Sequence, residues 1–118
     1  MARRYRNRPV NNEKTFQWIE KLLEKPLDVE GRYYCTWRVL APYLINVKRL
    51  SISDAFDIIS SWLDRCNSLR RLSFNSVKRQ KIDYALNNVG NYWSISRARL
   101  EQENNLLYIR LKSEGIIC

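Results

Sequence analysis

Apolar residues along this chain recur at steps of three and four, the spacing of helix faces rather than of strands. Phe16, Ile19, Leu22 and Leu23 form the first such face. Asn12 is placed to cap it and Pro26 to stop it, which predicts a helix over about residues 13–24. A short loop ends at Gly31, and Tyr34, Trp37, Leu40, Ala41, Leu44 and Ile45 then predict a second helix over 32–47, kinked or split at Pro42. Ser51 or Ser53 caps a third helix in which Ala55, Ile58, Ile59, Trp62, Leu63 and Cys66 repeat cleanly until about residue 67. Val77, Ile82, Ala85, Leu86 and Val89 predict a fourth over about 76–89, closed by Gly90. Ser94 or Ser96 opens a last helical segment with Leu100, Leu107, Ile109 and Leu111 before Gly115, weakened in its middle by Asn104 and Asn105.

The expected fold is therefore all-α, a compact bundle of about five helices. Three glycines and three prolines in 118 residues leave too few turns for a many-stranded sheet. At 45% hydrophobic residues, one domain over 12–118 can bury a core without disulfides or metals. Residues 1–11 carry four arginines and almost nothing that could join a core, so they read as a flexible basic arm. No apolar run approaches the roughly 20 residues that span a bilayer, and no signal-peptide block opens the chain. A cytoplasmic location without membrane contact is expected. Cys35, Cys66 and Cys118 are odd in number and far apart, and there is no histidine. Reduced thiols are expected, with neither a disulfide framework nor a metal site.

Charge narrows the partner. Twenty-one Lys and Arg against twelve Asp and Glu give a formal net charge of +9, which points to a polyanion. Near the predicted helix ends lie Arg32, Tyr33, Arg38, Asn46, Lys48, Arg49, Asn67, Arg70, Arg71, Asn75, Lys78, Arg79 and Lys81. Arginine grips phosphate bidentately and lysine meets it as a point charge, so these residues suit a triphosphate or a nucleic-acid backbone as well as a solvated surface. Trp93 follows Gly90 and Tyr92 in a predicted loop; the pattern favours an anchor into the core, and the other reading is a platform for a base. Trp37 and Trp62 sit within apolar faces and are expected in the core.

Catalytic chemistry is missing. No Asp-x-Asp pair is present to hold two metals, Asp54 and Asp57 fit the start of a helix, and there is no phosphate-wrapping glycine loop and no histidine base. The chain is not expected to be an enzyme by itself.

The runs Glu30-Gly-Arg-Tyr-Tyr34, Ala41-Pro-Tyr-Leu-Ile-Asn-Val-Lys-Arg-Leu-Ser51, Ala55-Phe-Asp-Ile-Ile59 and Trp62-Leu-Asp-Arg-Cys-Asn67, with Phe74-Asn75 and Lys81-Ile-Asp-Tyr-Ala-Leu86, resemble an archaeal primase family. It includes the noncatalytic PriX-type primase subunit and the helix-bundle domain of archaeal plasmid primase-polymerases. The likeness spans about residues 16–95. The bare basic arm and the end at Gly115-Ile-Ile-Cys118 favour the plasmid-type domain over the free-standing subunit. The resemblance implies a helical bundle that binds nucleoside triphosphate and single-stranded template DNA beside a catalytic primase-polymerase domain or primase subunits, preparing the first step of primer synthesis. Gly31-Arg32, the Asn46 to Leu50 turn and Lys81-Ile82 are more distantly similar to nucleotide-binding elements of the large primase subunit. Asn46 stands where those relatives have lysine, and their iron–sulfur cysteines have no counterpart here.

These readings assign Arg32, Arg38, Asn46, Arg79 and Lys81 to the nucleotide, and Arg70, Arg71, Asn75, Lys78, Trp93 and Arg97 to DNA. ATP or another nucleoside triphosphate is the expected ligand, with Mg accompanying the triphosphate and no tightly bound cofactor. The alternative is a helix-turn-helix duplex-DNA binder that reads with the segment 76–89.

Overall fold

Helices begin and end where local chemistry directs them. The computed structural model describes residues 16–27, 31–70, 79–91 and 93–117. The Asn12 cap, the basic arm and the segment with Arg71, Asn75, Val77 and Lys78 lie outside these residues. Helix α1, Gln17–Glu24, buries Trp18, Ile19 and Leu22 on one face. Pro26 disfavours helical geometry at the residue before it, and Lys25 is extended.

Helix α2 covers residues 32–47 and begins after Gly31, whose φ is +103°. A Cβ on Gly31 would lie 3.2 Å from the Leu107 side chain, so this position needs glycine for both its backbone and its close packing. Most of α2 is wound as π-helix, in the stretches Cys35–Leu40 and Tyr43–Val47 on either side of Pro42. Proline has no N–H to donate one turn back. The helix runs on through Pro42, π-wound on both sides of it, so the expected split is not found. Arg49 ends the run in left-handed geometry, φ 59°.

Helix α3, Ile52–Leu69, is capped by Ser51, whose Oγ accepts from the Asp54 N–H at 3.1 Å. Its inner face, Ala55, Ile59, Trp62, Leu63 and Cys66, forms the middle of the core. The Trp62 indole N–H donates to the Leu22 carbonyl at 2.8 Å, fastening α1 to α3. Trp37 is half-buried and meets Tyr34 edge-on.

Helix α4, Arg79–Asn87, packs Ile82, Ala85 and Leu86 against α2 and α3. A 3-10 turn, Val89–Asn91, follows. The last segment is two helices rather than one: α5, Arg97–Glu103, capped by Ser96, and α6, Asn105–Ser113, capped by Asn104. The non-helical backbone of Asn104, φ -148° and ψ 78°, breaks the helix, and its side chain accepts from the Leu107 N–H at 3.2 Å. The described residues thus form six helices and no strand. Leu107 and Leu111 of α6 face inward, whereas Ile109, expected on the inner face, is exposed. No helix among the described residues is long and apolar enough to cross a membrane.

Candidate nucleotide and nucleic-acid interface

Two groups of the sequence-selected residues come together. The first gathers around Arg32. Arg32 opens α2 on the same side as Cys35, Thr36, Val39 and Leu40, and it is buried with them, at 2% exposure. Its Nη2 donates to the carbonyls of Leu27, Cys66 and Arg70 at 2.9, 3.1 and 2.7 Å, and its Nη1 donates to Asn67 Oδ1 at 3.1 Å. The guanidinium thus ties the loop after α1 and the end of α3 to the start of α2. The expectation that Arg32 grips a triphosphate therefore meets a side chain already holding the protein's own carbonyls; in this conformation it shapes the surface beside it. Its buried Nε–H has no hydrogen-bond partner among the described residues.

Around that tie lie exposed cations. Arg70 follows α3, its N–H donating to the Cys66 carbonyl at 3.0 Å. Tyr33, next to Arg32, lies under Lys81, whose Nζ is 4.8 Å from the ring centroid. Arg79 caps the Phe56 ring of α3 at 4.7 Å. These cation–π contacts hold two charges of α4 against α2 and α3 and leave both cations at the surface. The amide of Asn46 donates to the Val89 carbonyl at 3.4 Å, linking α2 to the turn after α4.

The second group surrounds Trp93. This side chain is 85% exposed, so the expected anchor into the core is not what the fold makes of it. The backbone behind it is held instead: Arg38 Nη1 donates to the Trp93 carbonyl at 2.9 Å. The same guanidinium forks onto Glu103, Nε to Oε1 at 3.0 Å and Nη2 to Oε2 at 3.2 Å. Tyr34 donates its hydroxyl to Glu103 at 3.2 Å, and Arg99 lies 3.7 Å from the same carboxylate. Arg38, expected with the nucleotide, is thereby brought to Trp93. Hydrogen bonding from Arg38, more than any other influence, holds the Glu103 carboxyl below the usual carboxylate range. Burial, followed by the Glu103 charge, pushes the Tyr34 hydroxyl up to about 12. Arg97, exposed, lies four residues beyond Trp93.

Glu103 and Tyr34 were not among the expected site residues. Arg99 and Glu103 stand one helical turn apart, a local signal, but Arg38 and Glu103 are 65 residues apart and nothing in the pattern pairs them. Among the described residues no cluster of three His, Cys, Asp or Glu could hold a metal. Cys35 and Cys66 are free and buried, and burial pushes both thiols up.

The family model of Primase X matches residues 14–114. The chain belongs to the Primase X family. This is a noncatalytic, primase-associated family, so membership links the chain to DNA replication and to a noncatalytic, primase-related role. The match includes both clusters, from Arg32 through Glu103. No curated protein matches the chain.

Proposed function

We propose that this member of the Primase X family is a priming module that holds a nucleoside triphosphate and single-stranded template DNA beside a separate catalytic subunit or domain. The observation that carries the reading is Trp93, an exposed indole on a backbone fixed by Arg38 and, through it, by Glu103 and Tyr34. An exposed indole carried on a held stretch of backbone is a ready stacking surface for an unpaired base. Arg97 next to it supplies charge for the backbone; Arg71, Asn75 and Lys78, outside the described residues, are assigned to DNA from their charge and amide chemistry alone. Arg38 serves DNA through Trp93 rather than the nucleotide directly.

The triphosphate lies along the edge made by Arg79, Lys81 and Arg70, the last expected with DNA, and Arg32 sets the edge from beneath; Asn46, at the other end of α2 beside Val89, is left to the far side of the nucleotide. Mg travels with the triphosphate, and the polymerase carboxylates belong to the partner. The module accelerates initiation by concentration: nucleotide and template held together meet the catalytic centre as one body instead of two.

The test is a titration of the full chain with ATP and a short single-stranded DNA, followed by amide shifts and tryptophan fluorescence. Trp93→Ala should weaken DNA binding by roughly tenfold or more, since stacking is worth about 1–3 kcal/mol per base. Helicity and ATP binding should be unchanged. ATP and DNA should each tighten the other's binding, and DNA affinity should fall steeply with salt. If neither ligand shifts residues around Lys81 and Trp93, the proposal is wrong.

A further inference from the structure

Helix α6 is apolar on two sides. Leu107 and Leu111 face the core, yet Leu106 is 82% exposed and Ile109 55%, one turn apart on the outer surface. A helix covering the edge of a bundle ordinarily turns polar residues to water; one that is apolar on both faces is built to be covered on both. Nothing in the helix's own folding requires Leu106 and Ile109, because the cap at Asn104 and the inward leucines already place it.

The charge around this face selects what covers it. Toward its C-terminal end α6 carries Arg110 and Lys112, and Lys25 approaches from the end of α1. Among the described residues Glu114 lies at this end and is shared: Lys25 and Arg110 each lie 3.6 Å from its carboxylate. The apolar pair is thus bordered by more positive charge than negative. A second copy of this chain would bring the same cations and another net charge of +9 against them, which opposes self-association. We propose that the outer face of α6 is a docking surface for an acidic amphipathic helix of a partner protein, whose apolar side chains cover Leu106 and Ile109 while its carboxylates meet Arg110 and Lys112. This rests on the proposed function in one respect: a module without catalytic acids must be held against the enzyme it serves. The face is distinct from the residues assigned there to nucleotide and DNA.

The probe is a synthetic helical peptide of about 20 residues with leucines at three- and four-residue spacing and glutamates on the flanks, compared with an isomer carrying lysines in place of the glutamates. Titrated into the full chain, the acidic peptide should shift the amides of α6, bind at least tenfold more tightly than the basic isomer and weaken with salt. The double variant Leu106→Gln/Ile109→Gln keeps good helix formers on the surface. It should retain its helicity and its ATP and DNA binding while losing the acidic peptide by tenfold or more. Equal binding of the two isomers, shifts centred away from α6, or sedimentation showing a dimer that the double variant dissolves would each overturn the proposal. A loss of ATP and DNA binding by the unaltered chain would count instead against the priming function, and leaves the peptide result to be read separately.

Discussion

Replacing Arg32 by methionine keeps the apolar stem of the side chain and removes its fork. Three carbonyls share the two protons of Nη2, and they are not equally dependent on it. The Cys66 carbonyl also accepts from the Arg70 N–H and is not orphaned. The Leu27 carbonyl, in a residue that is 2% exposed, loses a charged donor in the interior, a cost of about 1–3 kcal/mol. The Arg70 carbonyl and Asn67 Oδ1 lie nearer water and lose about 1 kcal/mol each. The expected sum is roughly 3–5 kcal/mol. For a chain of this size that lowers the melting temperature by on the order of 10–20 °C. Urea denaturation followed by tryptophan fluorescence and by circular dichroism measures it, with the slope against urea expected to hold constant. Arg32→Lys should recover only part of the loss, because a point charge cannot reach several carbonyls at once. A variant that melts within about 2 °C of the parent would refute the reasoning, and if it had also lost ATP, the guanidinium would be serving the ligand and not the fold.

Gly31→Ala places a side chain at a φ of +103° and 3.2 Å from Leu107, which should cost about 1–3 kcal/mol; an unchanged urea midpoint would contradict it. The Tyr34 hydroxyl, raised by burial and by Glu103 to about 12, favours the neutral phenol in the folded chain. Its contribution is therefore fully present below pH 10 and is lost as pH rises from about 10 to 12. A tyrosinate absorbance titration should show one late phase that Tyr34→Phe removes. Glu103, whose carboxyl is lowered, contributes in the opposite sense: its share is present above the ordinary carboxylate range and disappears as pH falls through and below it. Acid unfolding of Glu103→Gln should be correspondingly less steep.

Much of the bundle is legible because its helices are delimited by nearest neighbours. Ser51, Ser96 and Pro26 act within three residues of themselves, and the doubtful middle at Asn104 is where the last helix breaks. Arg32 was half-legible: its place one and two turns before Cys35, Thr36, Val39 and Leu40 puts it on the inner face, although its charge argues for the surface. Its partners, 34 to 38 residues away at the end of α3, leave no trace in the spacing. The exposure of Trp93 was not legible because it depends on Arg38 reaching a carbonyl 55 residues away. Ile109 misled for a simpler reason: on a helix apolar on two sides, periodicity cannot say which side is inside.

The π-wound α2 ties chain length to orientation. A π turn holds one residue more than an α turn for each hydrogen bond it closes, so residues 35–47 are a place where a helix can gain or lose a residue and remain a helix. Such a change is not silent. Each residue of an α-helix advances about 100° around the axis, so one deletion would rotate Gly31, Arg32 and Tyr33 by more than a quarter turn relative to Asn46 and Lys48. The number of residues in this helix, as much as their identity, therefore sets the angle between the two ends of the site, and relatives that differ in length here are expected to carry a compensating change elsewhere.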